Sequence, residues 1–440
     1  MSRAVLFHAG FLVALVAFAG CASGPRARVV SAASEARIDD AIRAYEDFAA
    51  REGEDLGLFA EVAGAVLLSA GCGDDPALAS MAARELMQAG LSGRPLLAEI
   101  IHRDCLGSFD ATVLLARRGD PDARRLLRGM ADNPSPEVRA AAVIALDPEP
   151  DRAMLLAWAT DPDEGVRAAA NERLGALGPS DADAFSLLTQ TARNDASPRV
   201  RAHAVRALGS YEGAAFPALR ERLSDPESSV RMAAVEALVR ADRDRARGTL
   251  LDLLATPPSA ESIEAARVLI SLVGGPSEAP SEDDRTASLA YLRASLAAAT
   301  ASLRAQAAVV LVGLPGRDDL SEVLRSALGR ETDPTARLSM ARALLRRENA
   351  ATDARAALLE LMPGGEMTGL QAAVVLSEEG VEAGLEIVRS VALGDASPPN
   401  LRVIAVHALG RARPGELLPA FSDPDPSVRL AAAGAVLGRR

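Results

Sequence analysis

The side chains that could do chemistry are few and scattered. Three histidines lie beyond the leader described below, His102, His203 and His407, together with Cys72 and Cys105. His102 with the two cysteines could begin a metal site only if Asp74 or Asp104 supplied a fourth ligand. No Cys-x-x-Cys or His-Glu-x-x-His spacing supports one. A Gly-x-Ser-x-Gly nucleophile elbow is also absent. All 48 basic residues are Arg, so a Gly-Lys-Ser/Thr phosphate loop and a Lys Schiff base are excluded. The adjacent acids Asp74-Asp75 and Asp283-Asp284 sit in loop-like stretches and read as solvated. Trp158 ends a helix and reads as core filling. No catalytic residue, metal or cofactor is expected, and the chain is expected not to be an enzyme.

The elements that would position any site come from a recurring pattern, clearest in Ser422-Asp423-Pro424-Asp425-Pro426-Ser427-Val428-Arg429. With Val428 as position zero, an Asp, Ser or Glu stands three residues earlier at Ser135, Asp163, Ser197, Glu227, Asp333 and Asp425. Side-chain oxygens of Asp and Ser cap the free N–H groups of a first helical turn. Pro136, Pro198, Pro334 and Pro426 follow, at a position where proline's missing N–H costs nothing. A second acid recurs at minus five (Asp161, Asp195, Asp225, Glu331, Asp423), and Arg at plus one (Arg139, Arg167, Arg201, Arg231, Arg304, Arg337, Arg402, Arg429). Apolar residues at zero, four, five and eight, as in Val230, Ala234, Val235 and Leu238, make one helical face. Position zero returns mostly every 27 to 34 residues, with one step of 40 between Ile263 and Leu303, which marks stacked supersecondary units.

This Asp-Pro-x-x-x-Val-Arg pattern resembles HEAT repeats, notably the short HEAT-like type noted in phycobilin lyases. The resemblance implies an all-α fold, an α-solenoid of about 12 stacked helix pairs. It also implies that the minus-five acids and plus-one arginines form a ladder between neighbouring repeats. The His-Glu pairs of HEAT-like di-iron hydroxylases are missing here, so that activity does not transfer.

Composition agrees with a helical array, with 49% hydrophobic but only 3% aromatic residues. The net charge of −12 argues against a nucleic-acid backbone as partner. Residues 1–20 read as a signal peptide, with Arg3 before an apolar run. Phe18-Ala19-Gly20-Cys21 resembles a bacterial lipobox, which would make Cys21 a lipidated N-terminus. Ala22, rather than Asp, then implies the outer membrane, facing the periplasm. A soluble secreted form is the alternative, through cleavage after Ala17-Phe18-Ala19.

Residues 21–33 read as a tether. Solenoid helices are expected over 34–273 and 285–440, separated by an exposed Gly/Pro/acidic loop at 274–284. The first helix, Ser34 to Arg51, places Ile38, Ile42, Tyr45 and Phe48 on one face as a cap. At the other end, no polar capping helix follows the last repeat, so one Ala-rich side is expected to stay exposed.

Cys72 and Cys105 fall in equivalent loops of neighbouring repeats. An oxidising envelope favours a disulfide. Against it, stacked repeats stand about 10 Å apart, whereas a disulfide needs Cα atoms within roughly 7 Å, so two free thiols remain the alternative. Position six of each second helix lies opposite the apolar stripe and carries Glu172, Arg206, Glu236, Arg342 and His407, with Ile144, Val309 and Val374 interspersed. The functional expectation is a membrane-tethered scaffold binding a protein or peptide along this face. The alternatives are a structural spacer without a dedicated partner, and a bilin-lyase-like enzyme.

Overall fold

The computed structural model describes residues 24–271, 282–314, 318–363 and 366–439. Among them are 25 α-helices and short 3-10 turns, with no strand. In chain order the helices are α1 (Pro25–Ser34), α2 (Ile38–Glu52), α3 (Leu56–Gly71), α4 (Pro76–Gln88), α5 (Arg94–His102), α6 (Ser108–Arg117), α7 (Pro121–Arg128), α8 (Pro136–Ala142) and α9 (Arg152–Trp158). There follow α10 (Glu164–Leu174), α11 (Ala182–Asn194), α12 (Pro198–Leu208), α13 (Glu212–Glu221), α14 (Ser228–Ala241), α15 (Arg243–Leu254), α16 (Ala260–Ser271) and α17 (Glu282–Ser295). The last are α18 (Ala301–Val312), α19 (Ser321–Arg330), α20 (Pro334–Leu344), α21 (Ala351–Leu361), α22 (Glu366–Glu378), α23 (Glu382–Leu393), α24 (Pro399–Ala412) and α25 (Pro426–Leu437). The chain forms two compact units, one of residues 116–384 and one of residues 1–115 with 385–440.

The unit of residues 116–384 is an α-solenoid of stacked pairs. Its second helices begin where the sequence places caps. Asp163 accepts from the Val166 N–H at 3.0 Å, and Asp333 from the Ala336 N–H at 2.8 Å. Ser197 and Glu227 make no side-chain cap. There the minus-five acid accepts instead, Asp195 from the Ser197 N–H at 2.9 Å and Asp225 from the Glu227 N–H at 3.0 Å. Small residues let the pairs close: a Cβ on Gly175 would lie 2.9 Å from the Ala207 Cα of the next second helix. The expected loop at 274–284 is shorter than its sequence implied. Its residues up to 281 lie outside the described residues, but Glu282–Asp284 already form the first turn of α17. Asp284 is buried there against Arg247, whose Nη2 donates to it at 2.9 Å.

The other unit departs from the sequence reading in three places. Residues 25–33, expected as part of a tether, form α1 together with Ser34, and the helix expected from Ser34 begins only at Ile38 as α2. Pro25 starts α1, and burial of Val29 and Ala32 against α2 and α3 offsets its weak amphipathicity. The segment Pro414–Ser422 is a 3-10 helix rather than an α-helix. The third departure concerns the Ala-rich side of the last repeat, which is not exposed. Ala431, Ala432 and Ala433 on α25 are fully buried, and α25 packs against both α3 and α4. The helix α3 is apolar almost all round, so it needs cover on more than one side. Phe59 on α3 is stacked on Tyr45 (centroids 4.6 Å apart) and meets Phe421 at 4.8 Å.

Candidate binding face

The plus-one arginines are the most regular polar feature. All but Arg429, in the last repeat, reach into the following repeat. The Nε and Nη2 of Arg139 donate to Asp161 at 3.1 and 2.9 Å, those of Arg167 to Asp195 at 2.9 and 3.1 Å, and those of Arg201 to Asp225 at 3.0 and 2.9 Å. Arg304 holds Glu331 in the same way at 2.8 and 2.7 Å, and Arg402 donates to Asp423 at 2.8 Å. The remaining Nη1 turns back onto the arginine's own interhelical turn. In Arg167 it donates to the Asp161 and Pro162 carbonyls at 2.9 and 3.0 Å, and in Arg429 to those of Asp423 and Pro424. One guanidinium therefore ties its own loop to the next repeat through a bidentate fork that a lysine could not reproduce.

From α8 onward the ladder has two substitutions, Arg231 to Glu261 and Arg337 to Glu360 on α21, and two gaps. Arg231 reaches Glu261 at 3.0 Å, in the first turn of α16, because residue 258, five before Ile263, is Pro. The helix α16 has Glu264 where the plus-one arginine would stand, and α22 has Gly369.

These bonds set the protonation of the acids. Burial pushes the Asp225 carboxyl up, but hydrogen bonds from Arg201 and the Glu227 amide, with the Arg201 charge, hold it below its ordinary value. Asp161 balances in the same way with Arg139. For Glu331 the Arg304 hydrogen bond is the largest influence and lowers the carboxyl directly.

A second set of arginines was not visible in the motif. Arg240 donates to the Arg206 carbonyl at 3.1 Å, Arg347 to those of Leu311 and Val312 at 3.0 Å, and Arg439 to that of Gly410 at 3.2 Å. Each binds the carbonyl end of the preceding repeat's second helix, where free C=O groups and the helix dipole favour a cation. Tyr211 does the same from its hydroxyl to the Leu174 carbonyl at 3.0 Å, and its burial pushes the phenol up to about 12.

Of the position-six residues, Glu172, Arg206, Glu236 and Arg342 are exposed, each on its own second helix of the unit of residues 116–384. Glu172 faces His203 Nδ1 at 3.1 Å. Burial of the ring pushes the His203 imidazole down, against the pull of the Glu172 charge. Val309 on α18 is an exposed apolar spot between the charged positions. His407 belongs to the other unit and is half-buried, with Nε2 3.3 Å from Glu85 on α4. It is engaged inside its own unit.

Cys72 and Cys105 are joined in a disulfide with their Cα atoms 4.6 Å apart. The two loops come closer than regular stacking because the Gly107 N–H donates to the Gly71 carbonyl at 3.0 Å; a Cβ on Gly107 would stand 2.9 Å from that oxygen. Bonded sulfurs cannot serve as thiolate ligands. Among the described residues no group of three His, Cys, Asp or Glu side chains is placed to hold a metal, and no helix is long and apolar enough to cross a membrane. The signal peptide and Cys21 lie outside the described residues.

A family model described as HEAT repeats matches residues 185–270. The match identifies residues 185–270, from α11 to α16, as HEAT repeats. Among curated proteins none matches its sequence. Similar solved structures include the CpcE–CpcF complex of phycocyanin lyase from Nostoc sp. PCC7120, with 19% identity over 66% of this chain and 95% of that one, at a TM-score of 0.27. Human deoxyhypusine hydroxylase in complex with glycerol is 20% identical over 67% of this chain and 98% of that one, at a TM-score of 0.24. Kap121p bound to Pho4p is 13% identical over 91% of this chain and 55% of that one, at a TM-score of 0.36. At these values the likenesses carry no inference about ligand or activity.

Proposed function

We propose that this protein is a non-enzymatic HEAT-repeat scaffold of a bacterial envelope, lipid-tethered through Cys21, that holds an extended protein or peptide segment along its second-helix face. One observation carries the reading. Arg206 and Arg342 are exposed on that face, and among the described residues neither guanidinium has a hydrogen bond or ion pair, whereas the ladder arginines are consumed by structure. A free planar guanidinium can grip a partner's carboxylate through two hydrogen bonds.

Reversing both, Arg206→Glu with Arg342→Glu, should abolish cross-linking to a captured partner without loss of helicity. Reversing Arg220 and Arg325 on first helices should not. Equal capture by both variants would move the site off this face. For the tether, Cys21→Ser should release the mature-sized protein from the membrane fraction, because lipid chains contribute about 0.8 kcal/mol per buried CH₂. Retention of that variant would end the lipid-anchor reading. A spacer without a dedicated partner is the second reading. It is favoured by the mutual pairing of Glu172 with His203 and by the attraction between Glu236 and Arg267, which leave part of the face self-neutralised.

A further inference from the structure

The junction of α25 with α3 and α4 contains one ionisable pair that neither the ladder nor the binding face uses. Glu85 on α4 is 4% exposed. Its Oε1 lies 3.3 Å from His407 Nε2 on α24, and its Oε2, equally buried, has no hydrogen-bond partner. Space for it exists because residue 434 on α25 is glycine: a Cβ there would overlap Glu85 Oε2 and stand 2.9 Å from the Glu85 Cβ.

The other charged groups on the surrounding helices are committed. Arg402 on α24 holds Asp423, and Arg429 and Arg439 at the two ends of α25 donate to backbone carbonyls. Arg84 on α4 reaches Ser80, and Glu99 on α5 pairs with Arg103 at 2.7 Å. Glu61 on α3, Arg94 on α5 and Arg411 on α24 have interactions of their own, and His102 at the end of α5 is exposed. His407 is thus the cation available to Glu85, and only while it is protonated.

We propose that Glu85 and His407 form a proton-operated latch, which holds the last repeat on α3 and α4 when the imidazole is charged and loosens that junction as the pH rises past the histidine range. A buried carboxylate left beside a neutral ring, with one oxygen already unsatisfied, is costly, whereas the charged pair is not. Histidine is the side chain whose ordinary titration falls between pH 5 and 8. The latch contributes while the imidazole is charged, and its contribution declines as the pH rises through the histidine range.

Hydrogen exchange on the full chain tests this. The protection of α25 amides is compared with that of α18 in the same sample, at about pH 5.5 and about pH 8, corrected for intrinsic exchange. The ratio should fall several-fold between the two. His407→Gln should flatten the dependence, and Glu85→Gln should flatten it while keeping α25 protected at both pH values. An unchanged ratio in the natural protein would overturn the latch without any variant. So would a full pH dependence that survives in His407→Gln.

Discussion

The repeats from α8 to α16 and the junction of α25 with α3 and α4 bury similar helices by different means. In the first region one device recurs, an arginine that clamps its own turn and forks onto the acid of the next repeat. In the second there is no ladder. Stacked rings of Tyr45, Phe59 and Phe421 fill the contact, Gly434 admits Glu85, and the fully buried alanines of α25 close the rest. Neighbouring repeats are alike, so a short motif can specify every interface between them. An interface that occurs once must be specified by side chains of its own. The chain has only nine Phe, three Tyr and one Trp, so three rings in one contact are a concentrated investment.

Acid should separate the two regions most. Asp161, Asp225, Glu261 and Glu331 all have carboxyls held below their ordinary values of 3.8 for Asp and 4.5 for Glu. For Glu331 the Arg304 hydrogen bond leads. For the other three burial pushes upward, and the hydrogen bonds and arginine charge outweigh it together. The folded state therefore binds fewer protons than the unfolded one. The stability these groups give is fully present above the ordinary carboxyl values and is lost as the pH falls through the lower folded values. Exchange protection of α12 and α14 should drop between about pH 5 and pH 2, at a higher pH than that of α3, whose rings do not titrate. Simultaneous loss in all three helices would erase the contrast.

Phe59→Ala attacks the junction alone. The ring is fully buried between two others, and such truncations cost about 3–5 kcal/mol. Local measurement is needed, because a chain of two units does not give one unfolding free energy. Protection should fall in α3 and α25 and hold in α12 and α14. A loss spread evenly over all four would mean that the junction and the ladder fold as one.

Much of this was legible in the sequence, and the boundary is physical. The helix pairs, the acids at Asp161, Asp195, Asp225, Glu331 and Asp423 and their arginines follow from local spacing, because a repeat writes its own interface. Glu261 escaped because it replaces a loop acid from within a helix. Arg240, Arg347 and Arg439 escaped because their partners are backbone carbonyls, which no residue type marks, although a cation near a helix end was a usable signal. The cover over α25 was foreshadowed by the unbroken apolar character of α3. Glu85 and His407 are joined across most of the chain length, and nothing local announces such a pair. In the binding face, the exposure of Glu172, Arg206, Glu236 and Arg342 followed from helical geometry. The engagement of His407 did not, because position six is free only where no other helix covers it.

The smallest effect divides the ladder itself. Arg201 and Asp225 are 9% and 5% exposed, and the arginine also holds the Asp195 carbonyl at 2.9 Å. Arg201→Ala leaves a buried carboxylate without its fork, at a cost of about 3 kcal/mol. Arg337 reaches instead to Glu360, whose side chain is 64% exposed, at the end of α21. Water can replace that partner, so Arg337→Ala should cost no more than about 1 kcal/mol. Both arginines occupy the same motif position, but Arg201 forks onto a buried acid and also clamps its own turn, whereas Arg337 makes a single bond to an exposed acid. Measured by the local protection of α14 for the first and of α21 for the second, a several-fold larger loss for Arg201 would show that the ladder stabilises through the buried fork together with the clamp on its own turn. Equal losses would mean that neither adds to what an exposed pair gives, and would predict that Arg429, which has the clamp but, among the described residues, no acid partner in a following repeat, contributes little.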